Sequence, residues 1–333
     1  MRAPEFWRNG HGVAPLLLAP FARVYEAAGA ARRALVRPLK APVPVICVGN
    51  LVAGGAGKTP VALALGAYLK RLGKEVHFLT RGYGGRERGP IRVDPSRHDV
   101  RDVADEALLL AGRAPTWVAR DRVAGAKAAA GAGARIIVMD DGFQNPSLVK
   151  DISFLVIDGG AGFGNGRVIP AGPLREPVEA GLKRCSAAVL IGEDRCGIAP
   201  RIESEAQAPG GAAVPVLRAR LAPGPEAREL AGRRVVAFAG IGRPEKFFAT
   251  LAEIGCTIAA RHGFADHHIY TPDEIMGICE EAQALSAVPV TTRKDLVRLP
   301  ETARPMVKVL SVDLRWQDEE ALASILGPVV SDG

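Results

Sequence analysis

The run VPVICVGNLVAGGAGKTPVALALGAYLKRLG (43–73) brings together Gly54, Gly55, Gly57, Lys58 and Thr59. These types at this spacing suit triphosphate chemistry. Glycines let successive backbone N–H groups turn inward on phosphate oxygens, a lysine reaches the β/γ-phosphates, and the next hydroxyl binds Mg²⁺. The ATP-binding candidates are Val52, Ala53, Gly54, Gly55, Ala56, Gly57, Lys58 and Thr59. The strict pattern G-x-x-x-x-G-K-[ST] departs once, at its first glycine, where Val52 stands. A second set lies in RIIVMDDGFQ (135–144), where four apolar residues end in Asp140 and Asp141. A buried parallel strand of that kind presents a carboxylate to the metal of a bound nucleotide, so at least one of the two is expected to serve Mg²⁺.

Such side chains need elements to hold them. Val43, Val45, Ile46 and Val48 predict a buried strand, and Val61, Leu65, Tyr68, Leu69 and Leu72 a helix that Gly73 ends. Pro60 suits the first helical turn. Strand, glycine loop and helix form the P-loop arrangement, with the helix N-terminus adding positive potential. Residues 75–80 predict the next strand, leading into Arg81-Gly-Tyr-Gly-Gly85, a flexible loop suited to phosphate. A helix predicted over 103–111 starts with Asp105 and Glu106, which at that place serve as partners of the helix dipole. Arg120, Asp121 and Arg122 enter an alanine-rich helix, and the glycine-rich 159–177 segment, with Arg167 and Arg175, reads as a substrate-binding loop.

Alanine, glycine and proline accumulate over 203–224 and predict a domain boundary, placed at 208/209. Beyond it an α/β rhythm resumes, with strands over 234–239, 257–260, 288–292 and 307–314, and Thr271 and Glu274 in capping-box positions. Asp266-His267-His268 lacks further ligands at metal spacing and reads as a polar loop facing the other domain's site.

At 333 residues the chain can bury two cores, and 48% hydrophobic with 24% charged residues is the balance of a soluble globular protein. A net charge of +7 suggests acidic partners. Aromatic residues make up 5%, none interleaved with a basic run, which disfavours a nucleic-acid platform. Five cysteines without C-x-x-C spacing read as reduced thiols. The longest apolar run, 13–22, contains Pro15 and Pro20 and is too short to span a bilayer. Arg23 and Glu26 directly after it argue against a signal peptide. Over 12–37, Leu17, Phe21, Val24, Ala28, Ala31 and Leu35 recur at helical spacing opposite Arg23, Arg33 and Arg37. That helix either packs on its own domain or lies on anionic lipid.

VGNLVAGGAGKTP, RGYGG, ADEALLLA, DDGFQ, FGNGRVIPAGPLREP, GIGRPEKFF, FADHHIY and TTRKD together resemble the tetraacyldisaccharide 4'-kinase family of Gram-negative bacteria, in family order from residue 48 to 295. One departure is Asn145-Pro-Ser-Leu148, where many members carry a histidine and basic residues. The resemblance implies an α/β fold: a P-loop NTPase core with a mostly parallel sheet, plus a smaller C-terminal α/β domain joined by a two-stranded ribbon. Residues 214–221 and 307–314 are the ribbon candidates. It also implies phosphoryl transfer from ATP to the 4'-hydroxyl of an acylated disaccharide 1-phosphate lipid. Peripheral attachment at the cytoplasmic face of the inner membrane follows with it, and no obligate protein partner is evident. Asp105 resembles the family's catalytic aspartate, working with a histidine of the DHH loop, here assigned to His267. With Lys58 on the phosphates, Thr59 and Asp140/Asp141 hold the metal, Glu106 is a further metal candidate, and Arg81, Arg122 and Arg175 are candidate substrate phosphate contacts. The competing class is a switch ATPase of the partitioning or metal-insertion type, whose signature lysine would fall on Ala53. A GTPase would need N/T-K-x-D, which Thr292-Arg-Lys-Asp295 does not meet.

Overall fold

The computed structural model describes residues 4–10, 12–207 and 214–331. Its strands are β1 (Val45–Gly49), β2 (Val76–Thr80), β3 (Ile91–Arg92), β4 (Thr116–Val118), β5 (Ile136–Asp140), β6 (Ile152–Asp158), β7 (Ala187–Ile191) and β8 (Val216–Pro223). They continue with β9 (Arg234–Ala239), β10 (Thr257–Gly263), β11 (Val288–Thr292), β12 (Lys308–Leu310) and β13 (Val312–Trp316). Nine form one sheet in the order β13-β8-β7-β6-β1-β5-β2-β4-β3, and four form another in the order β10-β9-β11-β12. Among the described strands, only the β3–β4 and β8–β13 pairs are antiparallel.

β1 is central because its residues are apolar on both faces: all five are buried, flanked by β5 and β6. Helix Lys58–Arg71 covers one face, placing Val61, Ala62, Leu65 and Leu69 against Ile46, Val48 and Phe78. Fully burying a side chain such as Leu65 contributes about 1.5–3 kcal/mol, so this helix is held far more firmly by packing than by its intrinsic propensity. The register sets Val48 opposite Asp140, so the loop leaving β1 and the acidic pair leaving β5 emerge side by side. Ligands of open α/β sheets bind at such carboxyl ends.

Several expectations change. The helix expected over 103–111 is two helices, Val100–Val103 and Asp105–Ala111, separated by Ala104 at φ +69°. Asp99 caps the first with a full capping box, and the break makes Asp105 the opening residue of the second. The segment 307–314 is two strands: β12 joins the smaller sheet, and β13 crosses to pair with β8. The ribbon is therefore β8–β13, with Leu314 opposite Leu221. A terminal helix, Glu319–Val330, follows and returns Leu322, Leu326 and Val329 to the larger core. The expected boundary at 208/209 lies outside the described residues; helix Ile198–Gln207 precedes it.

Helix Ala14–Leu35 spans nearly all of the amphipathic segment, and its stripe is uncovered. Leu17, Phe21, Val24 and Leu35 are 71%, 64%, 69% and 83% exposed, while Pro15 and Ala22 are the residues it buries. No helix among the described residues is long and apolar enough to cross a membrane.

Candidate active site

The loop between β1 and Lys58 owes its shape to glycines in the left-handed region, Gly54 at φ +123° and Gly57 at φ +86°. At Gly57 a Cβ would also stand 2.6 Å from Ile191 Cδ1. Asn50, fully buried, donates from Nδ2 to the carbonyls of Val52 (2.7 Å) and Gly54 (3.3 Å), which steadies the turn. Across the loop, Val52 pairs with Leu174, and Ala53 N–H donates to Pro173 carbonyl at 2.7 Å, so the 159–177 segment braces the P-loop.

Thr59 Oγ1 donates to Asp140 Oδ2 at 2.9 Å. Asp140 is 1% exposed and its Oδ1 has no partner, an orphaned buried oxygen of the sort a cation would satisfy. Burial pushes its pKa up to about 7, Glu106 adds to the rise, and Lys58 opposes it. The described residues hold no cluster of three or more acid, histidine or cysteine side chains fit for a metal. Asp141, at φ +53°, turns the other way and pairs with Arg175 at 3.1 Å and Lys58 at 3.7 Å. Gln144 ties these groups together, receiving from Arg175 Nη1 (3.3 Å) and donating to Asn50 carbonyl (2.8 Å).

The opening of helix Asp105–Ala111 meets the smaller sheet's loops. Asp105 is 5% exposed, and its Oδ2 lies 3.0 Å from His267 Nδ1. Arg298 donates to the same oxygen through Nε at 2.8 Å and also through Nη2, and Lys294 Nζ stands 3.8 Å away. Burial alone would raise the Asp105 pKa; the His267 hydrogen bond, Lys294 and Arg298 overcome it and hold the carboxyl well below the usual carboxylate range. The neighbouring histidine does a different job: His268 bonds Glu274 at 3.0 Å, within the capping box of helix Pro272–Ala284, and stacks on Phe264. A second bridge between the sheets joins Asp158, at the end of β6, to Arg243 and to Lys246 at 3.3 Å. A cavity of about 150 Å³ lies there, lined by residues 51–56, 156–158, 161–163 and Arg243.

Of the three arginines proposed for phosphate, Arg175 stands beside the acidic pair and Arg81 is exposed at the end of β2. Arg122 is 3% exposed and donates from Nη1 to Ala119 carbonyl, while its Nε has no partner. Sequence reasoning passed over Asn50, Gln144, Lys294 and Arg298. Lys294 stood in the flagged TTRKD run, without an assigned role; Arg298, three residues past Asp295, carried no signal at all. Glu176 was also passed over, though it is 1% exposed and receives Arg184 and Arg33, the latter from the N-terminal helix at 3.3 Å.

The mostly parallel sheet, the P-loop with Thr59 bonded to Asp140, and the Asp105–His267 contact define a P-loop kinase fold. The family model for tetraacyldisaccharide-1-P 4'-kinase matches residues 14–330. Among relatives, the tetraacyldisaccharide 4'-kinase of Rhodospirillum centenum is 55% identical over 99% of this chain and 97% of its own length. That of Rhodospirillum rubrum is 55% identical over 99% and 98%. A solved structure, LpxK from Aquifex aeolicus in complex with ATP, superposes with a TM-score of 0.73 at 26% identity, covering 95% of this chain and 99% of that one. The chain belongs to the tetraacyldisaccharide 4'-kinase family.

Proposed function

We propose that the chain transfers the γ-phosphoryl group of ATP to the 4'-hydroxyl of a tetraacylated glucosamine disaccharide 1-phosphate, giving lipid IVA in lipid A assembly. The observation that carries this reading is the Thr59–Asp140 contact beside Lys58, with Asp105 and His267 meeting nearby. Phosphoryl transfer asks a protein for positioning and charge neutralisation more than for covalent chemistry. Lys58 and the amides of residues 52–57 hold the phosphates. Thr59 and the orphaned Asp140 oxygen would hold Mg²⁺, with Glu106 and Asp141 at hand, and the ion would neutralise charge on the β- and γ-oxygens. Arg175 guides the transferring group and exposed Arg81 serves a further phosphate, while Arg122, buried, adds positive charge near the acidic pair. Asp105 and His267 act as one proton-accepting unit for the sugar hydroxyl.

Two further parts of the reading concern the whole chain. The larger domain comprises the nine-stranded sheet with β8, β13 and the terminal helix, and the smaller the four-stranded sheet. The uncovered stripe of helix Ala14–Leu35 lies on the cytoplasmic leaflet of the inner membrane, where the acyl chains of the substrate reside. The test is incubation of the full chain with ATP, Mg²⁺ and the lipid acceptor, followed by mass analysis. The expected product carries one added phosphate; ATP consumption that ignores the acceptor would favour the switch ATPase.

A further inference from the structure

We propose that Arg298 is a positioning residue for phosphoryl transfer, one guanidinium that fixes Asp105 and His267 relative to each other where the two sheets meet. The inference rests on the reading of Asp105 and His267 as the proton-accepting unit. Arg298 follows the short helix Arg293–Leu296 and is 3% exposed, its side chain 1%. Its position is set from behind. Nη1 donates to Gly240 carbonyl at 2.6 Å and to Asp295 Oδ1 at 3.3 Å. Asp295, with no exposed surface, is itself held by Gly240 N–H (2.8 Å), Tyr270 hydroxyl (2.9 Å) and Thr292 hydroxyl (2.5 Å).

The opposite edge of the guanidinium faces the site. Nε and Nη2 both donate to Asp105 Oδ2, and Nη2 lies 3.4 Å from His267 Nδ1. Gly240 carbonyl, the rear anchor, also receives the backbone N–H of His267 at 3.1 Å. One planar fork therefore references the carboxylate directly, the imidazole through its bond to that carboxylate, and the backbone of the histidine's own loop through the shared Gly240 carbonyl. Lysine, a point donor on a flexible stem, cannot reproduce that. Val297 packs beside Val93, Val103, Ala107, Leu108 and Val118 of the larger layer, so the same short segment brings both the apolar contact and the charge. Lys294 adds a more exposed cation, 3.7 Å from Glu106.

The experiment compares full-length wild type with Arg298→Met, Arg298→Lys, Asp105→Asn and the Asp105→Asn/Arg298→Met double variant. It measures kcat and KM separately for ATP and acceptor, with thermal unfolding alongside. Arg298→Met should lower kcat about 10²-fold or more, on the scale of losing the acid–base unit it aligns. KM for ATP should move less than about threefold, and the double variant should be barely worse than the poorer single one, as for residues that act together. Arg298→Lys should restore the melting temperature better than it restores kcat, leaving a deficit of about tenfold. A purely structural pair predicts the reverse: a lower Tm with kcat kept wherever the protein is folded. That result, multiplying effects in the double variant, or full kcat in Arg298→Lys would overturn the proposal. Should Arg298→Met not fold, the kcat of Arg298→Lys decides alone. Full kcat in Asp105→Asn would instead remove the acid–base reading itself, and so separates the two failures.

Discussion

Lys58 is almost covered, its side chain 10% exposed, yet it anchors nothing in the apolar core; its ion partner is Asp141 at 3.7 Å. In the proposed function the charge serves a triphosphate. Removing a cation from a transferring phosphoryl group costs about 10²-fold or more in rate, on the scale of other electrostatic deletions. Lys58→Ala should therefore abolish transfer and leave the melting temperature nearly unchanged, because Asp141 keeps Arg175 at 3.1 Å. Turnover near the wild-type rate would remove the P-loop assignment. Asp158 carries a second residue-level expectation. Burial works to raise its pKa, but Arg243 and Lys246 outweigh burial and hold it below the ordinary 3.8. A depressed carboxylate contributes stability that is complete above its unfolded pKa and is lost as pH falls through the lower folded value. The bridge between the sheets should thus be intact at neutral pH and fail only below about pH 4. Acid titration followed by circular dichroism, wild type against Asp158→Asn, should show the variant less sensitive in that window.

Among the described elements, helix Ala14–Leu35 carries a run of apolar side chains, Leu17, Phe21, Val24 and Leu35, that the fold leaves exposed. Single exposed hydrophobics need no explanation, but a contiguous stripe does. Its basic residues are not equivalent: Arg33 reaches the buried Glu176, so reversing its charge would set two anions together and disturb the protein for reasons unrelated to lipid. The cleaner variant is Leu17→Ser/Phe21→Ser/Val24→Ser, at positions 71%, 64% and 69% exposed. It should lose co-sedimentation with anionic liposomes and keep its unfolding temperature within a few degrees. In the wild type, each basic residue near an anionic leaflet contributes about 1 kcal/mol, so added salt should weaken binding. Equal sedimentation of both proteins would indicate that the helix does not lie on lipid.

At the scale of the whole molecule, the Asp105–His267 contact exists because two sheets meet, and the proposed acid–base role depends on it. Asp105 and His267 are 162 residues apart in sequence and 3.0 Å apart in space. Asp105→Asn and His267→Ala should each lower kcat by about 10²–10⁴-fold with ATP affinity little changed. If the pair acts as a unit, the double variant should be close to the poorer single one. Steady-state kinetics with nucleotide binding measured separately checks this; effects that multiply would mean two independent roles.

The P-loop was legible because its information is local. A β-branched run, glycines and a helix stripe dictate backbone conformation within about thirty residues, and the phosphate chemistry follows from that backbone. The acidic pair was legible for the same reason, since a buried strand delivers its last residues to a known edge. The break at Ala104 was not, because alanine carries no turn signature and only the surrounding packing holds it at φ +69°. Nor could the apolar run 307–314 reveal that it leaves one sheet at Leu310 and enters another at Val312, as strand pairing is decided by partners far away in sequence. The histidines 267 and 268 were adjacent and alike on paper; packing gave one to a helix cap and the other to Asp105. Arg298, 193 residues from the carboxylate it holds, had no local pattern at all. What the chain's own order determined was most of the strands and helices and the glycine loop between two of them. Which charges share a buried site was settled only by tertiary closure, because an ion pair is specified by distance and desolvation, and neither is written in sequence spacing.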